Sequence, residues 1–265
     1  MIDKPVVMGI LNITPDSFYA ASRVQTEEKI LQQASIMLKE GATIIDVGAQ
    51  STRPGSTRLS ANEETERILP VIEALRKNFT DMFISIDTYH ATVAEKAIAA
   101  GVSIVNDISG GTMDENMLST IGKFNVPYIC MHMKGVPETM HYDPVYKNIA
   151  EEILDFFIQK ISECRLAGIK DVIVDPGFGF GKTIEHNFVV LKNLSLFKML
   201  ERPVMTGLSR KSTIYKTLNA GVEDSLNGTT VLNTLALQNG ANILRVHDVK
   251  EAKEVVTLYE AYAKA

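Results

Sequence analysis

One unit recurs along the chain and limits the folds open to it: an amphipathic helical stretch, then glycine, then a short β-branched run that ends on a polar residue. Gly41 leads into Ala42-Thr43-Ile44-Ile45-Asp46-Val47-Gly48, and Gly101 into Val102-Ser103-Ile104-Val105-Asn106-Asp107. Gly168 leads into Ile169-Lys170-Asp171-Val172-Ile173-Val174-Asp175, and Gly240 into Ala241-Asn242-Ile243-Leu244-Arg245-Val246-His247. Glycine at a helix exit suits the left-handed C′ position, and the apolar run suits a strand covered on both faces. These are parallel βα units. Residues 6–13, 82–87, 127–131 and 203–207 read as four further strands of the same kind. Between the strands, apolar side chains return at helical spacing, as in Ile149, Ile153, Phe156, Phe157, Ile161 and Cys164. Eight alternating units in 265 residues predict an α/β chain closed into a single (β/α)8 TIM barrel rather than an open doubly wound sheet. No Pro/Gly/Ser-rich linker interrupts the pattern, so residues 1–265 read as one domain.

The charge balance is 27 Lys+Arg against 32 Asp+Glu, a net of −5, which argues against a broad nucleic-acid or membrane surface. No apolar run approaches the roughly 18 residues of a membrane span, and the first residues lack a signal-peptide pattern. A cytoplasmic protein is expected. Cys130 and Cys164 have apolar neighbours and read as buried free thiols rather than a disulfide or a zinc pair.

Polar residues cluster where the predicted strands end: Asn12, Asp46, Asp87, Asn106, His132, Asp175, Arg245 and His247. Each alone could be a turn former or the N-cap of the next helix. In a barrel they converge on one mouth, where residues 14–25, 51–62 and 133–146 form the longest irregular stretches. Alternation puts Arg245 and His247 on one side of their strand, as a paired anion clamp. Ser51-Thr52-Arg53-Pro54-Gly55 and Ser209-Arg210-Lys211-Ser212 bring cations and hydroxyls to two loops; they suit anionic ligands, or are solvated basic turns.

The segment Asp175-Pro176-Gly177-Phe178-Gly179-Phe180-Gly181-Lys182-Thr183 invites a phosphate-loop reading, but the position that needs glycine, 176, is proline. Its G-x-G-x-G spacing also misses the dinucleotide fingerprint. A glycine-rich turn remains, with Phe178 or Phe180 either bordering a flat ligand or packing in the core. Lys182 then reads as a solvated lysine at a helix start, without a ligand contact.

Together, Gly9-Ile10-Leu11-Asn12-Ile13-Thr14-Pro15-Asp16-Ser17-Phe18, Asp46-Val47-Gly48, the Ser51 to Gly55 loop, Asp175 to Thr183, Ser209-Arg210-Lys211 and Arg245-Val246-His247 resemble dihydropteroate synthase. Their order and spacing match from about Pro5 to the last helix. The resemblance implies a transferase of folate biosynthesis, of the family that sulfonamides target, which joins (7,8-dihydropterin-6-yl)methyl diphosphate to 4-aminobenzoate. It implies Asn12 as the protein ligand of Mg²⁺, and Thr52, Arg245 and His247 on the diphosphate. It implies Asp87, Asn106, Asp175 and Lys211 on the pterin, and Arg53, Pro54, Phe180 and Ser212 around 4-aminobenzoate. Asp87, Lys211, Arg245 and His247 would be the catalytic groups, with early C–O cleavage to a pterin-methyl cation and no protein nucleophile. A homodimer is the family expectation.

After Asp16-Ser17-Phe18 the family commonly continues Ser-Asp-Gly-Gly, whereas this chain has Tyr19-Ala20-Ala21-Ser22, a departure that touches the first loop. Two other readings share some of these features. A pterin-binding methyltransferase barrel, passing a methyl group from a reduced folate to a corrinoid protein, would not need the Ser51 to Gly55 loop, Lys211 and the Arg245/His247 pair together. A non-catalytic pterin-binding paralogue is favoured only by the altered first loop.

Overall fold

In the computed structural model, residues 4–13, 23–50, 58–136, 140 and 144–265 are described, with 23–26 described by backbone alone. Thr52, Arg53, Pro54 and the Tyr19-Ala20-Ala21-Ser22 departure lie outside them. Strands β1 (Val6–Asn12), β2 (Ile44–Gly48), β3 (Phe83–Asp87), β4 (Ile104–Asp107), β5 (Tyr128–Met131), β6 (Val172–Asp175), β7 (Met205–Thr206) and β8 (Ile243–Val246) pair in parallel in the order β6-β5-β4-β3-β2-β1-β8-β7. The seam between β6 and β7 closes through a parallel bridge from Val174 to Val204, with Val174 N–H donating to the Pro203 carbonyl at 2.9 Å. The sheet is thus a (β/α)8 barrel, as the repeated unit predicts.

Around it run α1 (Arg23–Glu40), α2 (Ala61–Asn78), α3 (Ala91–Ala99), α4 (Met117–Phe124), α5 (Ile149–Leu166), α6 (Ile184–Lys192), α7 (Ser212–Thr217), α8 (Leu226–Gln238) and α9 (Val249–Lys264). The repeat is least regular at β7, a two-residue strand followed by both α7 and α8. The four helix-exit glycines carry φ of +104° (Gly41), +106° (Gly101), +90° (Gly168) and +105° (Gly240). After each, the next N–H reaches back five residues: Ala42 to Met37, Val102 to Ala97, Ile169 to Cys164 and Ala241 to Ala236. These bonds satisfy carbonyls that a helix end leaves unpaired, which is why the chain enters each following strand at a fixed angle.

Two apolar layers result. Between sheet and helices lies the larger one, including Val7, Ile45, Ile84, Val105, Val174 and Leu244. Inside the barrel, Met8, Ile44, Ile104, Ile129, Ile173, Met205 and Ile243 form a plug. Cutting one plug isoleucine to alanine would cost roughly 2–5 kcal/mol. Two residues on from the plug, on the same inward face, the chain turns polar: Ile44 gives way to Asp46, Ile104 to Asn106, Ile173 to Asp175 and Ile243 to Arg245. The plug therefore forms the floor of a polar cup. Cys130 and Cys164 are buried free thiols, pushed upward in pKa by burial. Among the described residues, no helix is long and apolar enough to cross a membrane.

Candidate active site

Arg245 stands at the centre of the cup. Its Nε donates to Asp46 Oδ2 at 2.7 Å and its Nη2 to Asp87 Oδ2 at 2.7 Å, while Asn106 Nδ2 donates to the same Asp46 oxygen at 3.0 Å. The register explains the convergence, because Asp46 sits beside Ser85 across β2 and β3, and Asp87 pairs with Asn106 across β3 and β4. Arg245 Nη1 makes no hydrogen bond within the described residues, and Asp46 Oδ1 is likewise unpartnered. Among the described residues, the Asp175 carboxylate accepts from the Gly177 N–H at 2.8 Å through Oδ1 alone. One guanidinium nitrogen and several carboxylate lone pairs are thus left, among the described residues, for a ligand that both donates and accepts.

The charges set one another. Burial pushes the Asp87 carboxyl up to about 7; Arg245 opposes the rise, and Asp46, Asp107 and Asp175 add to it. Burial also raises Asp175, against the pull of Lys211. For Arg245, burial works against the charge, yet Asp46 and Asp87 outweigh it and keep the guanidinium protonated. Lys211 is lowered to about 8 by burial, with Asp175 opposing. His247 is lowered by burial and by Arg245 and so is neutral at pH 7; its Nδ1 lies 3.1 Å from Ser209 Oγ.

Lys211 comes from the N-cap of α7, and Ser212 is the first residue of that helix. The Lys211 ammonium donates to the Phe178 carbonyl and lies 4.8 Å from the centroid of the Phe180 ring. The two phenylalanines separate: Phe178 joins the layer between sheet and helices, while Phe180 packs with Tyr89, Ile108, Met113, Met131 and Met133. Gly179, at φ +81°, turns the chain between them. This apolar wall went unassigned in the sequence, although Met131 stands two residues beyond the inward Ile129 and so shares its face.

Three expectations are corrected. His132 does not join the cup. Met131 pairs with Asp175 on the inward face, so His132 turns outward, where its ring packs edge-on against Phe156 of α5 at 5.0 Å. Arg210, expected among the cations of an anion loop, is clamped to Asp248 by two bonds of 2.9 and 2.8 Å. Lys182 is not solvated: it is buried, 3.0 Å from each of His132 Nδ1, Gly177 O and Phe180 O. A phosphate loop points N–H groups inward. Here carbonyls point inward around a cation, while the Gly177, Gly179 and Phe180 N–H groups bond Asp175, Asn187 and Gly177.

Asn12 closes β1 at an exposed position. Glu64, on the first turn of α2, is fully buried; its oxygens make no hydrogen bond of normal geometry within the described residues, and His90 Nε2 is 3.9 Å away. Burial pushes it up to about 7, with the nearby Thr88 hydroxyl opposing and Asp87 adding.

Residues 8–247 match a family model described as pterin binding enzyme. A dihydropteroate synthase of Haemophilus influenzae is 43% identical, over 100% of this chain and 96% of its own length. The chain belongs to the dihydropteroate synthase family. Solved members of the dihydropteroate synthase family superpose on it throughout. The Yersinia pestis enzyme in a sulfonamide drug complex gives a TM-score of 0.93 at 40% identity, covering 100% of this chain and 96% of that one. The Xanthomonas albilineans enzyme in complex with 7,8-dihydropteroate gives 0.87 at 31%, covering 100% and 95%. These likenesses to dihydropteroate synthases favour neither the methyltransferase barrel nor the non-catalytic paralogue.

Proposed function

We propose that the chain condenses (7,8-dihydropterin-6-yl)methyl diphosphate with 4-aminobenzoate to give 7,8-dihydropteroate and diphosphate, the step of folate biosynthesis that sulfonamides target. The observation that carries this reading, beside the family, is the cup itself: Asp46, Asp87, Asp175 and Asn106 gathered round one guanidinium above an apolar plug. A pterin presents guanidine-like N–H groups that call for acceptors, and Asp87, Asn106 and Asp175 supply them. Lys211 donates to the ring oxygen and nitrogen. Arg245 Nη1 and neutral His247 face the diphosphate, and Thr52 is assigned to the same group by the family resemblance.

As the C–O bond to diphosphate breaks, Arg245 and His247 stabilise the negative charge that develops on the leaving group. Asp87 and Asp175 stabilise the positive charge left on the pterin-methyl group. The 4-aminobenzoate nitrogen, unprotonated near pH 7, then attacks that carbon, so a strong base is unnecessary. Arg53, Pro54 and Phe180 wall the arylamine, and the N-terminal end of α7 at Ser212 receives its carboxylate.

No group of three His, Cys, Asp or Glu able to hold a metal occurs among the described residues. The amide oxygen of Asn12, exposed where β1 ends, is a hard donor that fits Mg²⁺ as the protein's contribution, with substrate and water oxygens supplying the rest. When bound, Mg²⁺ supplies neutralisation of the diphosphate oxygens. Exposed Leu218, at the C-cap of α7, and Val231 and Leu235 on α8 support pairing as a homodimer, and the cytoplasm is the proposed location. Diphosphate release that depends on both 4-aminobenzoate and Mg²⁺ is the test; release independent of the arylamine overturns the reading.

A further inference from the structure

Lys182 has no part in the reaction above, yet it is 7% exposed and commits its three N–H bonds to three protein acceptors. A buried ammonium costs several kcal/mol unless its donors are met, and a neutral amine has only two N–H groups to offer. The cage therefore suits the charged form, although burial lowers it to about 7 with the Asp175 carboxylate opposing. His132 Nδ1 serves as an acceptor only while its proton is on Nε2. Burial and the charge of Lys182 hold that imidazole neutral, far below its ordinary range.

The cage joins a rigid support to a functional loop. On one side, the His132 ring rests against Phe156 of α5. On the other are the carbonyls of Gly177 and Phe180, which bracket the turn between Asp175 and the Phe180 ring. The turn lies so close to the end of β5 that a Cβ on Gly177, at φ +69°, would stand 2.0 Å from the His132 carbonyl. Lys211 in turn bonds the Phe178 carbonyl and lies over the Phe180 ring. Two lysines thus grip one turn, and only Lys211 reaches a proposed ligand.

We propose that Lys182 is a positioning residue for the arylamine substrate: by holding the Gly177 and Phe180 carbonyls it fixes the Phe180 ring, and with it the affinity for 4-aminobenzoate. The proposal rests on the reading of Phe180 as a wall of that substrate's site. Lys182→Met keeps the length of the side chain and removes every donor. It is expected to raise KM for 4-aminobenzoate by about tenfold or more while kcat falls by less than about threefold, because a wall is loosened and no reacting group is lost. In a Phe180→Ala background the same change is expected to add less than about twofold, since the ring it positions is already gone. His132→Phe retains the packing on Phe156 and removes one acceptor. It is expected to shift KM in the same direction and provides a second variant if Lys182→Met does not fold.

Hydrogen exchange of the 177–182 amides gives a readout independent of turnover. In Lys182→Met it is expected to quicken about tenfold or more, with α5 unchanged. Unchanged exchange, or a KM rise of equal size in the Phe180→Ala background, overturns the role of Lys182. Unsubstituted protein that makes no dihydropteroate overturns the functional reading instead.

Discussion

The guanidinium of Arg245 lies 2.7 Å from the carboxylate of Asp87, joining β8 to β3 across the barrel mouth. The same side chain holds Asp46 at 2.7 Å, where the carboxylate is fully buried. A residue proposed for the diphosphate is therefore also the counter-ion that lets two carboxylates stand side by side in the cup. Arg245→Ala would strand both charges, and breaking a buried pair from one side costs about 3–5 kcal/mol. A stability loss of that order is expected in denaturant melts, with partial recovery in Arg245→Ala/Asp46→Asn. Unchanged stability in the single variant would show that the guanidinium serves ligands alone.

Asp175→Asn tests the pterin reading. Gly177 N–H already occupies Oδ1, so the amide group of asparagine falls where Oδ2 would accept from the ligand. A loss of pterin affinity of roughly 2–4 kcal/mol is expected, as for a buried charge-assisted bond replaced by two opposed donors. Calorimetry with a pterin ligand measures it, and equal affinities would mean that Asp175 faces something else.

Glu64 makes a prediction about stability rather than turnover. Its folded value, about 7, lies above the ordinary 4.5, so the folded protein holds this proton more tightly than the unfolded chain. The associated stability is fully present below pH 4.5 and is lost as pH rises through about 7. Glu64→Gln removes the titration, so it is expected to be the more stable protein at pH 8, by up to about 3 kcal/mol. The advantage is expected to vanish near pH 4.5. Melts at both pH values decide it, and a difference independent of pH would show that Glu64 is charged in the fold.

The cup was legible because a barrel strand has a period of two: once Ile44, Ile104, Ile173 and Ile243 are placed inward, Asp46, Asn106, Asp175 and Arg245 must follow. The same rule, applied from Ile129 through Met131, turns His132 outward, so that error had its remedy in the sequence. Lys182 had none nearby. Its burial depends on left-handed glycines that fold carbonyls inward, and on a histidine 50 residues earlier in the chain. Glu64 is hidden for a local reason. Glu63 and Glu64 both suit the first turn of a helix, but Glu63 closes a capping box with Ser60, and its neighbour is carried inward.

The titrations of the cup lead to a pH profile with two limbs. In the proposed mechanism Asp87 would stabilise a cationic pterin only when ionised, and it is pushed up to about 7, so activity is expected to fall as pH drops through that region. Lys211 would present a cation to the proposed pterin site only when protonated; it is lowered to about 8, so activity is expected to fall again above it. The apparent values belong to the coupled cluster rather than to either residue alone. A bell-shaped dependence of kcat/KM for the pterin diphosphate follows, with a narrow top between about 7 and 8. Lys182, lowered to about 7 beneath the same turn, is the rival for the alkaline limb. Lys211→Arg separates them, because a guanidinium keeps its charge throughout this range. If Lys211 sets the limb, the variant is less active near neutrality and loses the alkaline fall. If the fall stays where it was, the titrating group lies elsewhere, and a flat profile from pH 6 to 9 would remove both assignments.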